Sequence, residues 1–369
     1  MLSFTTLTVL ACLTAAAGLG WAWTQASALP RIDVGTSLTP LASSSDVQNI
    51  LLVGIDDGMG LSNGDPVLRG RGKTLNTDTI MILRVDPKAQ SAALLSLPRD
   101  LWVDIAGGGQ GRINTALAIG GPERLIETIK QDFNIPINHY AMVDFQSFEA
   151  LVSAIDGVPI YFNNPARDQA TGLFQYDVGC ITLTGDQALA FARSRHYEIW
   201  RSDIKQWQED PTSDFGRITR QQTFIKAALR KAVAKGARNP FVLKEFLGIA
   251  QKNVTLDKDF KIGELVSLGN EFRNFDPDNL QSYTPVATGM MVGAASVLEL
   301  NVAASQPIFE IFRGQRPIPD PNAAPATTAP GPSTSVPAAG GATSSTTQPV
   351  TTTTISQFIP RIPDGQSCG

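Results

Sequence analysis

Thr184-Gly-Asp-Gln-Ala-Leu-Ala-Phe-Ala-Arg-Ser-Arg-His196 is followed, after a polar loop, by Asp214-Phe-Gly-Arg-Ile-Thr-Arg-Gln-Gln222. Thr184 and Gln187 have the spacing of a capping box, which predicts a helix starting there with Arg193 and Arg195 at its end. Ser213 or Asp214 can cap a second helix. Its apolar positions Ile218, Ile225, Leu229 and Val233 recur at helical spacing. On that helix Arg217, Arg220 and Gln221 stand at i, i+3 and i+4 and share a face. They lie at the positive end of the helix dipole, where carboxylates belong and arginines are electrostatically uphill. An anion relieves such a cluster. The planar guanidinium fork matches phosphate in particular. The competing account is a solvated helix start carrying surface ion pairs.

The strands upstream give this cluster something to work with. Asn49–Ile55 reads as a buried strand ending in Asp56-Asp57. Thr79–Val85 reads as a second strand, preceded by Asp78, and Ser91–Leu97 as a third, ending in Pro98-Arg99-Asp100. In an antiparallel meander the end of the first, the start of the second and the end of the third share one sheet edge. Asp56, Asp78 and Arg99 would gather there. Two facing carboxylates call for a proton or a cation between them. With oxygen ligands and a phosphate nearby, Mg²⁺ is the expected ion. The alternative is that each aspartate only caps a turn.

The chain has 369 residues, 43% of them hydrophobic, enough for one large domain or two ordinary ones. The net charge of −4 argues against general nucleic-acid binding and makes any basic site local. Three cysteines, Cys12, Cys180 and Cys368, make neither a metal cluster nor a disulfide framework, although Cys180 and Cys368 could pair outside the cell. Residues 2–23 are uncharged and mostly apolar, with Trp21 and Trp23 where an interfacial belt would sit. Ala26-Ser27-Ala28 also resembles a cleavage site. Anchor or signal, the segment would export the rest of the chain and place the domain outside the cytoplasm. Residues 24–46 read as a linker, 47–314 as the folded domain, and 315–369, rich in Pro, Thr and Ser, as a disordered tail. Helices and strands mix without a regular βαβ beat, which favours α+β or a three-layer αβα sandwich; the expected class is α/β, αβα-sandwich-like, with a central mixed, largely antiparallel sheet.

Two other signals fail on context. Gly60-Leu-Ser-Asn-Gly64 has the spacing of a nucleophile elbow but is followed by Asp65-Pro66 rather than a helix. The two histidines, His139 and His196, have no zinc-site spacing.

The runs N-I-L-L-V-G-I-D, T-D-T-I-M-I-L, L-L-S-L-P-R-D, R-I-N-T-A, L-T-G-D-Q-A-L-A-F-A-R-S-R-H and D-F-G-R-I-T-R-Q-Q, in this order, resemble the LytR-CpsA-Psr family. The resemblance covers roughly Asn49 to Val233 and extends toward Arg313. It implies a central sheet flanked by helices, with an apolar tunnel for a polyprenyl chain. It implies binding of a polyprenyl-pyrophosphate-linked glycopolymer with Mg²⁺, at the membrane, and transfer of the polymer to a peptidoglycan hydroxyl. Asp56 and Asp78 match the family's metal-binding aspartates, and Arg99 the arginine of its S-L-P-R-D motif. Arg193 and Arg195 match its paired arginines; Asp214, Arg217 and Gln221 match its D-x-x-R-x-x-x-Q element. Arg112 and Arg220 join the expected substrate-binding set, and Asp100 or Asp214 is the candidate general base. One position departs: members often carry Arg two residues before the second aspartate, where this chain has Asn76, and Lys73, Arg71 or Arg69 would have to supply the charge. A pyrophosphatase using water, or a polyprenyl-lipid-binding regulator without catalysis, would use the same arginines.

Overall fold

A computed structural model describes residues 30–43, 46–56, 76–235, 254–320 and, near the C-terminus, 358–360, 362 and 368. The apolar segment 2–23 and Arg69, Arg71 and Lys73 lie outside the described residues. In chain order the elements begin with β1 (Arg31–Ile32), β2 (Gln48–Asp56), β3 (Asn76–Asp86) and β4 (Ser91–Leu97). The hairpin β5 (Trp102–Asp104) and β6 (Gln110–Arg112) leads to α1 (Thr115–Phe133), β7 (His139–Val143) and α2 (Phe145–Ala154). Next come β8 (Val158–Phe162), β9 (Ala166–Asp168), β10 (Leu173–Gln175), β11 (Gly179–Leu183) and α3 (Gly185–Arg193). The hairpin β12 (Glu198–Arg201) and β13 (Gln206–Glu209) precedes α4 (Asp214–Ala234). Last come β14 (Val254–Asp257), α5 (Ile262–Glu271), β15 (Gln281–Tyr283), the hairpin β16 (Ala287–Val292) and β17 (Ala295–Leu300), and α6 (Val302–Phe312).

Strands β2, β3 and β4 form the antiparallel meander that their order implies. They sit inside a seven-stranded sheet of order β1-β14-β7-β2-β3-β4-β15. The sheet is more evenly mixed than the sequence suggests, because β7 joins β2, β15 joins β4 and β1 joins β14 in parallel. Alternate residues of the meander point to opposite faces, and both faces are buried. Leu51, Ile80, Ile82 and Leu95 enter one core with α1 and α6. Ile50, Met81 and Leu94 enter the other with α5 and the flank of α4. The result is helix, sheet, helix in three layers. Helix α1 kinks at Gly120-Gly121, just before Pro122.

The polar stretch after His196, read as a loop, is the hairpin β12–β13. It pairs through β12 with β9, and β9 with β10, as a four-stranded sheet. Its strands are too short and polar for periodicity to reveal. The segment 24–46 is not all linker: β1 adds a sheet edge and Val34 is buried in the main core. The end of the chain also returns to the fold. Phe358 is buried in a third core with Phe162, Phe191 and Phe224, and Cys368 is disulfide-bonded to Cys180. A non-reducing peptide map should therefore recover Cys180 joined to Cys368, and Cys368→Ser should cost about 2–4 kcal/mol in chemical denaturation. Two alkylatable thiols at these positions in the untreated protein would contradict the pairing.

Candidate anion-binding site

The strand β3 begins on a bulge. Its register against β2 runs from Gly54 opposite Thr79 to Ile55 opposite Thr77, so Asp78 is the extra residue. Bulges bend a strand and re-aim a side chain, and here the side chain is the carboxylate of Asp78. Arg99, in the turn that ends β4, donates to Asp78 Oδ1. Arg195, just past α3, donates to the same oxygen at 3.2 Å. Arg195 Nε lies 3.5 Å from Asp214 Oδ1, which also meets Arg217 Nη2 at 2.8 Å. Asp100 continues the chain outward, 3.4 Å from both Arg99 Nε and Arg112 Nε. Arg112 also donates to the Ser296 carbonyl at 2.8 Å. Meander edge, helix pair and the β5–β6 hairpin thus meet in one network of alternating charge.

Burial on its own would raise the Asp78 carboxyl, but the guanidiniums of Arg99, Arg217 and Arg195 outweigh it and hold the group below its ordinary value. Arg195 is pushed the other way. Burial and then the nearby Arg217 and Arg99 lower it to about 10, despite Asp78 and Asp214. Its positive charge is under-compensated. Arg99 Nε and Arg217 Nε are buried donors with no hydrogen-bond acceptor among the described residues. A cleft of about 190 Å³ lies alongside, lined by Asp78, Arg193, Arg195, His196, Asp168 and Thr171. Arg193 borders it with its guanidinium carbon 4.4 Å from the Phe145 ring.

The expected capping box of α3 is present, with the Thr184 amide bonded to Gln187 Oε1 at 3.1 Å. Ser213 precedes α4 but has φ of 45° and makes no side-chain cap, so neither expected capping bond forms there. Asp210 organises this corner instead. It accepts from the Thr212 amide at 2.9 Å and from Arg220 Nη1 at 2.7 Å. Arg220, expected to bind substrate, is buried at 1% exposure, with Nη2 on the Ser194 carbonyl at 2.8 Å and its guanidinium over Tyr197. Gln221 is likewise turned to structure, bonding the Ala192 carbonyl and Thr79 Oγ1. These two residues position the arginine loop rather than line the cleft.

Asp168, which the sequence did not single out, is the other support. It is fully buried. Its Oδ2 accepts from Ser194 Oγ and from the amides of Arg195 and His196 at 2.7–3.0 Å. Its Oδ1 accepts from the amides of Ala170 and Thr171. One carboxylate thus fixes the backbone on both sides of the Arg195 side chain. No motif marks it, because its partners are mostly backbone amides brought together by the fold.

Whether a divalent cation fits turns on Asp78. Both arginine bonds use Oδ1, which leaves Oδ2 as a hard oxygen donor. The backbone of Asp56 ends β2 opposite Asn76 at this edge, while its side chain lies outside the described residues. Among the described residues no group of three His, Cys, Asp or Glu side chains could hold a metal. A divalent cation at Asp78 Oδ2 would therefore need further oxygen ligands from outside the described side chains.

A Cβ on Gly216 would stand 2.0 Å from Asp210 Oδ2 and 2.6 Å from Thr212 Oγ1. Gly216→Ala should therefore separate Asp210 from Arg220 and destabilise by about 3–5 kcal/mol, the scale of a broken buried pair. A denaturation midpoint equal to that of the parent protein would refute that account.

The chain matches the LytR_cpsA_psr family model over residues 31–312. It is 32% identical over 228 residues to the polyisoprenyl-teichoic acid–peptidoglycan teichoic acid transferase TagU of Oceanobacillus iheyensis, covering 60% of this chain and 62% of TagU. It is 29% identical over 291 residues to the probable cell wall biosynthesis protein LcpB of Corynebacterium glutamicum, covering 78% of this chain and 66% of LcpB. The match thus spans about three fifths of TagU and two thirds of LcpB. A LytR-Csp2A-Psr enzyme from Actinomyces oris shares the fold with a TM-score of 0.61 at 22% identity, covering 77% of this chain and 95% of that one. With the family model matched over most of its length, and Asp78, Arg99, Arg195, Asp214 and Arg217 joined in one network, the chain belongs to the LytR-CpsA-Psr family.

Proposed function

We propose that the protein transfers a glycopolymer from a polyprenyl-pyrophosphate carrier to a hydroxyl of peptidoglycan, in wall assembly outside the cytoplasm. The observation that carries this is the convergence of Arg99, Arg195 and Arg217 on Asp78 and Asp214, beside a cleft that Arg193 and Arg195 line. Phosphoryl oxygens supply the missing negative charge, and guanidinium forks suit their geometry. The name of TagU supports the class of donor and acceptor.

In this reading Arg99, Arg195 and Arg217 hold the diphosphate, and Arg193 borders the group as it enters. Mg²⁺ on Asp78 and Asp56, when bound, would supply charge neutralisation at the phosphate oxygens. The acceptor oxygen forms a bond to the sugar-side phosphorus, the anhydride P–O bond breaks, and polyprenyl phosphate departs with the electron pair. The arginines stabilise the charge spread over the equatorial oxygens. The polyprenyl chain would run in an apolar tunnel between sheet and helices. Asp100 and Asp214 are poor candidates for the base, since each already faces two arginines. His196 is better placed. It lines the cleft, and Glu209 holds its Nδ1 at 2.7 Å, which leaves Nε2 for the hydroxyl proton.

The test incubates the full chain in detergent with a polyprenyl-pyrophosphate oligosaccharide and Mg²⁺, with and without peptidoglycan. Transfer that needs the acceptor is expected. Release of polyprenyl phosphate by water alone would make the protein a pyrophosphatase, and tight binding with neither would make it a lipid-binding module. Arg195→Gln should weaken binding of the carrier about 10- to 100-fold, from ~1.5–3 kcal/mol for a charge-assisted bond. In the parent protein, binding should fall as pH rises through about 10, where Arg195 loses its proton. A profile that the substitution leaves unchanged across that range would detach Arg195 from the anion. The Asp78 contribution has the opposite sign: its carboxyl sits below the unfolded value, so the stability it gives is complete above the ordinary carboxylate range and lost in acid. Asp78→Asn should flatten the acid limb of a stability–pH curve.

A further inference from the structure

The four-stranded sheet β10-β9-β12-β13 has one face inside the protein and one outside. Ala166, Asp168, Leu173, Gln175, Tyr197 and Ile199 are buried on the inner face. The residues between them point outward, and they are aromatic to an unusual degree. Trp200 and Trp207 are a cross-strand pair with ring centroids 5.6 Å apart. Tyr176, just past β10, meets Trp207 at 6.3 Å and Phe174 at 6.4 Å. Phe174 is 52% exposed and Tyr176 60%. Single exposed aromatics need no account, but four in unbroken contact along one face do.

The charges on this face narrow the occupant. Arg167, opposite Phe174 in the register, lies 4.2 Å over the Trp207 ring. It is neutralised by Glu198 at 2.6 Å. The next carboxylate, Glu209, is opposite Glu198 and holds His196. On the described strands of this face the cation is paired, and Lys205 stands apart in the β12–β13 turn, so the aromatic stretch itself offers an anionic lipid headgroup or a polyphosphate no partner. Aromatic rings edged by paired polar groups suit instead an uncharged ring that is apolar on its faces and hydroxylated at its rim, which describes a pyranose.

We propose that this face is the docking platform for the acceptor, a chain of β-linked N-acetylhexosamine rings, resting on the transferase reading of the cleft. Position selects acceptor over donor. Strand β9 carries Asp168 inward, to the cleft wall, and Arg167 outward, against the Trp207 ring. The donor's sugar is tied to a diphosphate on the inner side. The outer side is the separate approach that a second substrate requires. The two meet at His196, which lines the cleft and is bonded to Glu209 on the edge of the platform. A glycan strand stacked on Trp200, Trp207 and Tyr176 would present its hydroxyl across that pair.

Chitotetraose is a suitable neutral probe, titrated into the full chain while tryptophan fluorescence is followed. Saturable quenching is expected, weakened at least about tenfold in Trp207→Ala and in Tyr176→Ala, whose circular dichroism should match the parent. In the transfer assay both variants should raise the acceptor KM about tenfold and leave donor binding unchanged. No saccharide binding, or binding that both variants retain, would overturn the platform, as would partition onto phosphatidylglycerol vesicles that depends on Trp207 while chitotetraose has no effect. Saccharide binding without transfer would instead remove the transferase reading and leave the platform standing. Transfer with an unaltered acceptor KM in both variants would remove the platform alone.

Discussion

One carboxylate oxygen joins the two halves of this molecule. Asp78 Oδ1 receives Arg99 from the end of the meander and Arg195 from the end of α3. The sheet can offer that oxygen only because the bulge opposite Gly54 and Ile55 displaces Asp78 from the regular ladder. A carboxylate in this setting is costly without partners and strongly held with them. Its position therefore fixes where the arginines converge, and with them the mouth of the cleft.

The arginines are held in place from behind by carboxylates that never meet the cleft with a free charge. Asp168 spends its oxygens on five donors, three of them in the Ser194-Arg195-His196 turn. Asp210 spends one oxygen on Arg220, which in turn holds the Ser194 carbonyl. Both ends of Ser194 are thereby fixed by buried groups. A Cβ at residue 216 would take the space of Asp210 and open this network, which accounts for the glycine there.

Much of this was legible in the sequence. Continuous apolar strands and the capping box at Thr184 report directly on local geometry, so the meander and α3 could be placed. The gathering of Asp78 and Arg99 followed from strand order alone. What was hidden depends on long-range contacts. Asp168 bonds chiefly to amides that lie up to 28 residues away. Strands β12 and β13 are four residues each, too short for periodicity to separate from a loop. Phe358 and Cys368 lie in a stretch whose composition signals disorder, and the disulfide overrides composition there.

Arg217 and Arg220 show why spacing alone does not assign a role. Three residues apart on one helix, they share a face, and both are almost wholly buried. Arg220 meets Asp210, an aspartate equally buried and close in sequence, and its remaining fork is taken by a carbonyl. Its Nε lacks an acceptor among the described residues, but its charge is matched by a carboxylate that no other arginine shares. Arg217 shares Asp214 with Arg195, and its Nε has no acceptor among the described residues. Burial raises the cost of that shortfall, since low dielectric strengthens attraction to an arriving anion as much as repulsion between the cations. The same covalent group is therefore a brace at one position and a receptor at the other, and the difference lies in whether the fold has supplied a private carboxylate.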